Sequence, residues 1–173
     1  IGLIGLGVIG LAVAKAFLEF GCHVRFYDPM PKDLELARKL GLELVSLDQI
    51  LEEPDIISLH VPLLPATQGL IGDVQIRQMK PGAILIQAAR GGIVDEKALA
   101  VHLQGGHLGG AAVDVFQVEP IANDNPLLSL TGEANEKLLL TPHIAGVSRQ
   151  SFTNLFRGAW ENVERVVIQG DKP

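Results

Sequence analysis

The sequence predicts an α/β fold, an open and doubly wound parallel sheet of about seven strands, and three observations predict it. Short apolar runs alternate along the chain with amphipathic stretches of helical period, which is the pattern of repeated βαβ units. The string GLGVIG at Gly5–Gly10 directly follows the first apolar run and opens the first helix. Three further strings, ARGGIVD at Ala89–Asp95, AAVDVFQVEP at Ala111–Pro120 and TPHIAG at Thr141–Gly146, each end or follow a predicted strand. In a parallel sheet with right-handed crossovers, strand ends share one edge, and ligands bind there.

The elements follow in order. Ile1–Ile4 is the first strand, and Val8–Phe20 a helix with alanines and leucines on its inner face. His23–Tyr27 alternates as a strand, and Lys32–Leu40 is a helix stopped by Gly41, a residue suited to the left-handed turn after a helix. Leu42–Val45 is a weak strand. Ser46 caps a helix running to Glu53, with Pro54 beyond its end. Asp55–His60 is a buried strand closed by the loop VPLLPAT, and Gly72–Met79 a short helix before the Pro81–Gly82 turn. Ala83–Ile86 and Leu108–Val113 are strands flanking a helix over Val94–Gln104, and Lys137–Leu140 is the last strand. Asn123–Lys137 reads as the longest structureless stretch. Ser148–Gln169 is a long terminal helix with Leu155, Trp160, Val163 and Val167 on its buried side.

Composition narrows the function. A chain of 173 residues, 47% hydrophobic and 20% charged, suits one globular domain with its own core. A net charge of −6 and no basic stripe argue against nucleic acid and anionic membranes as partners. No apolar run reaches membrane-spanning length. The single Cys22 excludes an internal disulfide framework and suits a reducing compartment, the cytoplasm. His23, His102 and His107 show no metal-ligand spacing. Ile1 opens inside a strand pattern without an initiator Met, so the chain is expected to be a domain of a longer protein.

Gly5, Gly7 and Gly10 form G-x-G-x-x-G between a strand and a helix, the Rossmann-like context. Gly5 permits the tight turn, Gly7 lets the backbone approach a pyrophosphate, and Gly10 allows close packing of helix on strand. The helix start offers free N–H groups and the positive end of its dipole to phosphates. Asp28 ends the second strand about 20 residues on, where a carboxylate accepts from an adenosine ribose hydroxyl and repels a 2′-phosphate. NAD is therefore the expected cofactor, and no metal. In the ordinary reading, Asp28 caps the turn Asp-Pro-Met-Pro.

Reducing a carbonyl with a transferred hydride needs an acid for the oxygen and a cation that orients the substrate. His143 is the acid, because an imidazole exchanges a proton near neutrality. Glu119 is the carboxylate that would favour the imidazolium and fix its ring. Arg90 has the planar fork that matches a carboxylate. Singly, each has an ordinary reading as a surface or capping residue; together, in order and at strand ends, they specify one site.

At these residues the chain resembles the NAD-binding domain of the D-isomer-specific 2-hydroxyacid dehydrogenases, from Ile1 to about Gly170. The resemblance implies a dinucleotide-binding domain over 1–173, with a substrate-binding domain that this chain lacks. It implies that His143 is the acid–base group, Glu119 its partner and Arg90 the substrate-holding cation. It further implies that Gly5, Gly7, Val8, Ile9 and Gly10 hold the pyrophosphate and Asp28 the ribose. His60, Pro62 and Thr67 would line the cofactor through the HVPL…T segment, Ala89 would lie beside it, and Asp114, His143 and Gly146 would surround the nicotinamide. A small 2-hydroxy or 2-oxo acid is the implied substrate, and a homodimer the implied assembly. Gln87 departs from the family's usual Asn, Ser148 from a common Thr, and the stretch between Glu119 and His143 is a few residues longer than is typical. A glutamate at 119 separates the chain from formate dehydrogenases, which carry Gln there. An NAD(H)-sensing module of the corepressor kind and a phosphite dehydrogenase share the same motifs and stay open as alternatives.

Overall fold

The computed structural model describes residues 1–30 and 33–168. Among them, seven strands form one sheet: β1 (Gly2–Ile4), β2 (Arg25–Tyr27), β3 (Glu43–Leu44), β4 (Ile56–Leu59), β5 (Ile84–Gln87), β6 (Gly110–Val113) and β7 (Leu138–Leu140). Their spatial order is β3-β2-β1-β4-β5-β6-β7 and every pairing is parallel. The order grows outward from β1 in both directions. The connection from β3 to β4 crosses the sheet, and the switch point lies between β1 and β4. The helices are α1 (Val8–Glu19), α2 (Leu34–Lys39), α3 (Leu47–Glu52), α4 (Asp73–Gln78), α5 (Glu96–Gln104), α6 (Glu133–Glu136) and α7 (Arg149–Val163).

Alternation along the strands separates two cores. Leu3 and Phe26 pack with Ala14 of α1 and Ala37 of α2. Ile4, Ile57, Leu59 and Leu85 pack with Ile50 of α3, Ile76 of α4 and Leu99 of α5. Leu3 and Ile4, adjacent in β1, thus serve opposite faces, which is the doubly wound arrangement the sequence predicts. Local chemistry fixes the helix starts. Ser46 and Gln49 form a reciprocal capping box at α3, and Asp95 accepts from the Lys97 and Ala98 amides at α5. His102 Nε2 lies 2.9 Å from Asp73 Oδ1, tying α5 to α4, and that hydrogen bond holds the Asp73 carboxyl below its ordinary value. At the sheet's edge, Arg25 of β2 pairs with Glu43 of β3 at 2.8 Å and with Glu53.

The chain divides into two compact units, Ile1–Pro142 and His143–Pro173. The first holds the whole sheet and both cores. The second, as far as it is described, is α7 and one π turn over Glu164–Ile168.

Several expectations need correction. The second strand starts at Arg25 rather than His23, and the sixth at Gly110 rather than Leu108. Asn123–Lys137 is not structureless: it holds a 3-10 turn at Pro126–Ser129, started by Asn125, and the one-turn helix α6. Leu127, Leu130 and Ala134 bury themselves in the main core and hold this stretch down. Leu155, Trp160, Val163 and Val167 are exposed, between 48% and 75% of their surface. A helix buries an apolar stripe only against another element, and among the described residues the unit that carries α7 holds only the π turn that continues it. The expected helix boundaries at Lys32 and Gln169 lie outside the described residues. No helix among the described residues is long and apolar enough to cross a membrane.

Two substitutions report on this division. Ile57→Ala, at the centre of the sheet, is expected to cost about 2–5 kcal/mol, and Leu155→Ala to stay within about 0.5 kcal/mol. Urea unfolding of the chain at concentrations where it is monomeric measures both, and a cost above about 2 kcal/mol for Leu155→Ala would show that α7 is packed within one chain.

Candidate functional site

The carboxyl ends of β1, β2 and β4 build the first half of the site. Gly5 turns the chain out of β1 with φ +98°, and a Cβ there would stand 2.7 Å from the His60 carbonyl oxygen. Only glycine accepts both the backbone angle and the approach. A Cβ on Gly10 would collide with the Gly5 carbonyl oxygen. Gly10 therefore lets α1 come down onto the β1 turn. Gly7 differs, because nothing lies within 4 Å of where its Cβ would stand. Gly7 caps α1 without a side-chain hydrogen bond, and Val8 and Ile9 of the first turn are 90% and 70% exposed. The loop thus presents open backbone and the positive end of a helix dipole.

Asp28 lies just past β2. Its Oδ2 accepts from the Leu6 amide at 2.8 Å and its Oδ1 from the Met30 amide at 2.9 Å. The turn-capping reading is therefore realised, and the same carboxylate also ties the end of β2 to the glycine loop. Each carboxylate oxygen has a second acceptor direction left for a hydroxyl. An open glycine, a helix start without a side-chain cap and a carboxylate one strand away together suit the pyrophosphate and ribose of a dinucleotide.

On the β4 side, the His60 amide donates to the Ile4 carbonyl at 2.8 Å, and its Nε2 lies 3.0 Å from Ser58 Oγ. Burial pushes the imidazole below its ordinary value. The loop beyond is closed by Thr67, whose hydroxyl donates to the Pro62 carbonyl at 2.6 Å and accepts from the Leu64 amide at 2.8 Å. Pro62 and Thr67 are thereby two ends of one rigid loop.

The ends of β5 and β6 carry the chemically active candidates. Arg90 is exposed, and its Nη1 donates to the Ala89 carbonyl at 2.6 Å. Ala89 is buried, and its amide donates to Gln87 Oε1 at 3.2 Å. Asp114 is buried at the end of β6, and the Thr141 hydroxyl donates to its Oδ1 at 2.5 Å. Glu119 is exposed, and its Oε1 accepts from the Phe116 amide at 3.0 Å. A Cβ on Gly91 would collide with the Phe116 carbonyl oxygen. The loop after Arg90 therefore lies directly on the backbone of the loop that bears Glu119.

His143 and Gly146 open the second unit. His143 is exposed with φ +54°, a left-handed conformation uncommon for non-glycine residues. The Gly146 carbonyl accepts from Ser151 Oγ at 2.7 Å, which links the segment to the Ser148–Ser151 capping box at the start of α7.

Sequence reasoning missed two groups that hold this edge together. Glu96, the first residue of α5, accepts from the Gln117 amide at 2.6 Å and from Asn125 Nδ2 at 2.5 Å. Its position beside the capping Asp95 was the only signal. Thr141 stood in the TPHIAG motif without a role, and its partner Asp114 is 27 residues distant. Among the described residues there is no group of three or more His, Cys, Asp or Glu placed to hold a metal ion.

The fold and this edge define an α/β dinucleotide-binding domain. The family model for the NAD-binding domain of D-isomer specific 2-hydroxyacid dehydrogenases matches residues 1–145, and the chain belongs to this family. It is 41% identical over 163 residues to a glyoxylate reductase of Korarchaeum cryptofilum, covering 94% of this chain and 47% of that protein. It is 42% identical over 171 residues to a D-3-phosphoglycerate dehydrogenase of Mycobacterium bovis, covering 99% of this chain and 31% of that one. Among solved structures, a D-lactate dehydrogenase from Aquifex aeolicus complexed with NAD and lactic acid superposes with a TM-score of 0.85 at 35% identity. That match covers 98% of this chain and 53% of the other. The chain thus spans about half, or less, of the relatives it matches. NAD is the cofactor of the domain family.

The glycines make separable predictions. Gly7→Ala should leave stability within about 1 kcal/mol, since its φ of −76° is ordinary, and should weaken NADH binding at least about tenfold. Gly10→Ala should destabilise the fold itself. Urea unfolding with NADH titration by fluorescence separates them, and unchanged NADH affinity in Gly7→Ala would remove the loop from the cofactor site. The buried His60 makes a pH prediction. Its folded value is depressed, so the unfolded chain binds the proton first, and stability is lost as pH falls below about 6.5. His60→Gln should reduce the loss between pH 7.5 and 5.5; an equal loss in both proteins would contradict it.

Proposed function

We propose that the protein carrying this chain is an NAD-dependent oxidoreductase that interconverts a D-2-hydroxy acid and its 2-oxo acid. The observation that carries this reading is the joint mounting of Arg90 and Glu119, whose loops meet backbone to backbone at Gly91 and Phe116 at the end of an NAD-binding sheet. NAD, when bound, accepts or supplies the hydride at substrate C2.

The chain's own groups do the rest. Gly5, Gly7, Val8, Ile9 and Gly10 hold the pyrophosphate by backbone amides, and Asp28 holds the adenosine ribose. His60, Pro62, Thr67 and Ala89 wall the cofactor, and Asp114, Gly146 and His143 flank the nicotinamide. Arg90 pairs with the substrate carboxylate through its planar fork. His143 gives the proton to the carbonyl oxygen in reduction and takes it back in oxidation. Glu119 favours the imidazolium that does so. The substrate class is supported by relatives named for glyoxylate and D-3-phosphoglycerate and by the lactic acid in the Aquifex aeolicus complex. A homodimer is supported by the apolar, exposed α7, and a cytoplasmic setting by the single unpaired Cys22.

The test is NADH oxidation by the intact protein against glyoxylate, pyruvate and hydroxypyruvate, with His143→Ala beside it. Turnover of one acid, reduced at least about 1,000-fold in the variant with NADH affinity kept, is the expected result. Tight NADH binding without turnover of any acid would replace this reading by a sensing module.

A further inference from the structure

We propose that Gln87 is a positioning residue that sets the direction of the Arg90 guanidinium. The proposal rests on the reading of Arg90 as the group that pairs with the substrate acid.

Gln87 is the last residue of β5, in register with Leu59 of β4 and Val113 of β6. Its carbonyl accepts from the Asp114 amide at 2.9 Å, so its backbone belongs to the sheet. Its side chain is 2% exposed. Both ends of the amide are spent on the segment that bears Arg90. Oε1 accepts from the Ala89 amide at 3.2 Å, and Nε2 donates to the Arg90 carbonyl at 2.9 Å. The Ala89 carbonyl in turn receives Arg90 Nη1 at 2.6 Å. A chain of contacts therefore runs from the sheet to the cation: Gln87 fixes residue 89 at its amide and residue 90 at its carbonyl, and the Ala89 carbonyl docks the guanidinium.

The far side of the segment has no slack, since Gly91 is held against the Phe116 carbonyl. Gln87 supplies the matching restraint on the near side. A buried amide with two donors and an acceptor is costly unless bonded, and here its bonds go to an irregular turn rather than to a strand. Asparagine, one methylene shorter, carries the same amide on a shorter stem. The departure from the family's usual residue noted in the sequence thus coincides with a local brace for Arg90.

The experiment is a double-mutant cycle in the intact protein. Gln87→Leu, Arg90→Ala and the double variant are compared for oxamate binding to the NADH complex by calorimetry and for kcat/KM with glyoxylate. Gln87→Leu should weaken oxamate and raise KM by about 10- to 100-fold, since small misplacement of an orienting group costs that much. NADH affinity should stay within about twofold. In the Arg90→Ala background, the same change should add nothing, because Gln87 acts through the arginine. Gln87→Asn, which retains the amide, should lie between the wild type and Gln87→Leu, and it carries the cycle if Gln87→Leu fails to fold. Penalties that add fully in the double variant, or an unchanged oxamate affinity in both Gln87 variants, would overturn the proposal while leaving Arg90 in place. Undiminished oxamate binding in Arg90→Ala would overturn both the proposal and the reading beneath it.

Discussion

The structure depends above all on how closely α1 approaches the end of β1. β1 is hydrogen-bonded to β2 on one side and β4 on the other, at the point where the sheet order reverses. Its end is pinned from both flanks, by the Gly5 amide on the Tyr27 carbonyl and by the His60 amide on the Ile4 carbonyl. Within that frame Gly5 and Gly10 remove two side chains from a space that has no room for them. The helix start then lies over the crevice between β1 and β4, and Gly7 is left open. Asp28 braces the same loop from β2 through the Leu6 amide. Packing and ligand chemistry here are one constraint: residues that make the approach possible also expose the amides that an anion needs.

The other half of the edge is built differently. Its loops leave β5 and β6 and are held by side chains that bond backbone. Gln87 holds the turn at Ala89 and Arg90, and Glu96 holds Gln117 and Asn125. Thr141 holds the buried Asp114, and Glu119 spends one oxygen on the Phe116 amide. Exposed, chemically capable groups thus sit beside hydrogen-bonded mounts, among which Gln87, Asp114 and Asn125 are buried. That division suits a site in which reach toward a substrate must be combined with fixed direction.

Much of this was legible in the sequence, for identifiable reasons. Strands such as Ile56–Leu59 and Ile84–Gln87 are short apolar runs between turn residues, and parallel strands buried on both faces look like that. The glycine loop was legible because each glycine meets a separate geometric demand. The 3-10 turn at Pro126–Ser129 and the single turn α6 were missed because four residues are too few to show a period. Sequence showed that α7 has an apolar face, and Trp160 and Leu155 do lie on it, but periodicity says nothing of what covers a face. The roles of Thr141 and Glu96 depend on partners that the fold brings near from 21 to 29 residues away, whereas Gln87 bonds residues two and three along, in a turn with no period to reveal it. A one-methylene departure at Gln87 marked the position without showing what the side chain holds.

The central claim is that the β1–β4 crevice holds the dinucleotide, with its pyrophosphate over Gly7 and its ribose at Asp28. The most direct measurement is to follow backbone amide resonances of the isotope-labelled chain while NADH is added. The account predicts that the largest shifts fall on Gly5–Gly10 and on Asp28–Met30, with smaller ones at His60 and Thr67. Saturable binding that leaves Gly5–Gly10 unshifted, or that moves the Leu34–Leu44 edge instead, would contradict it.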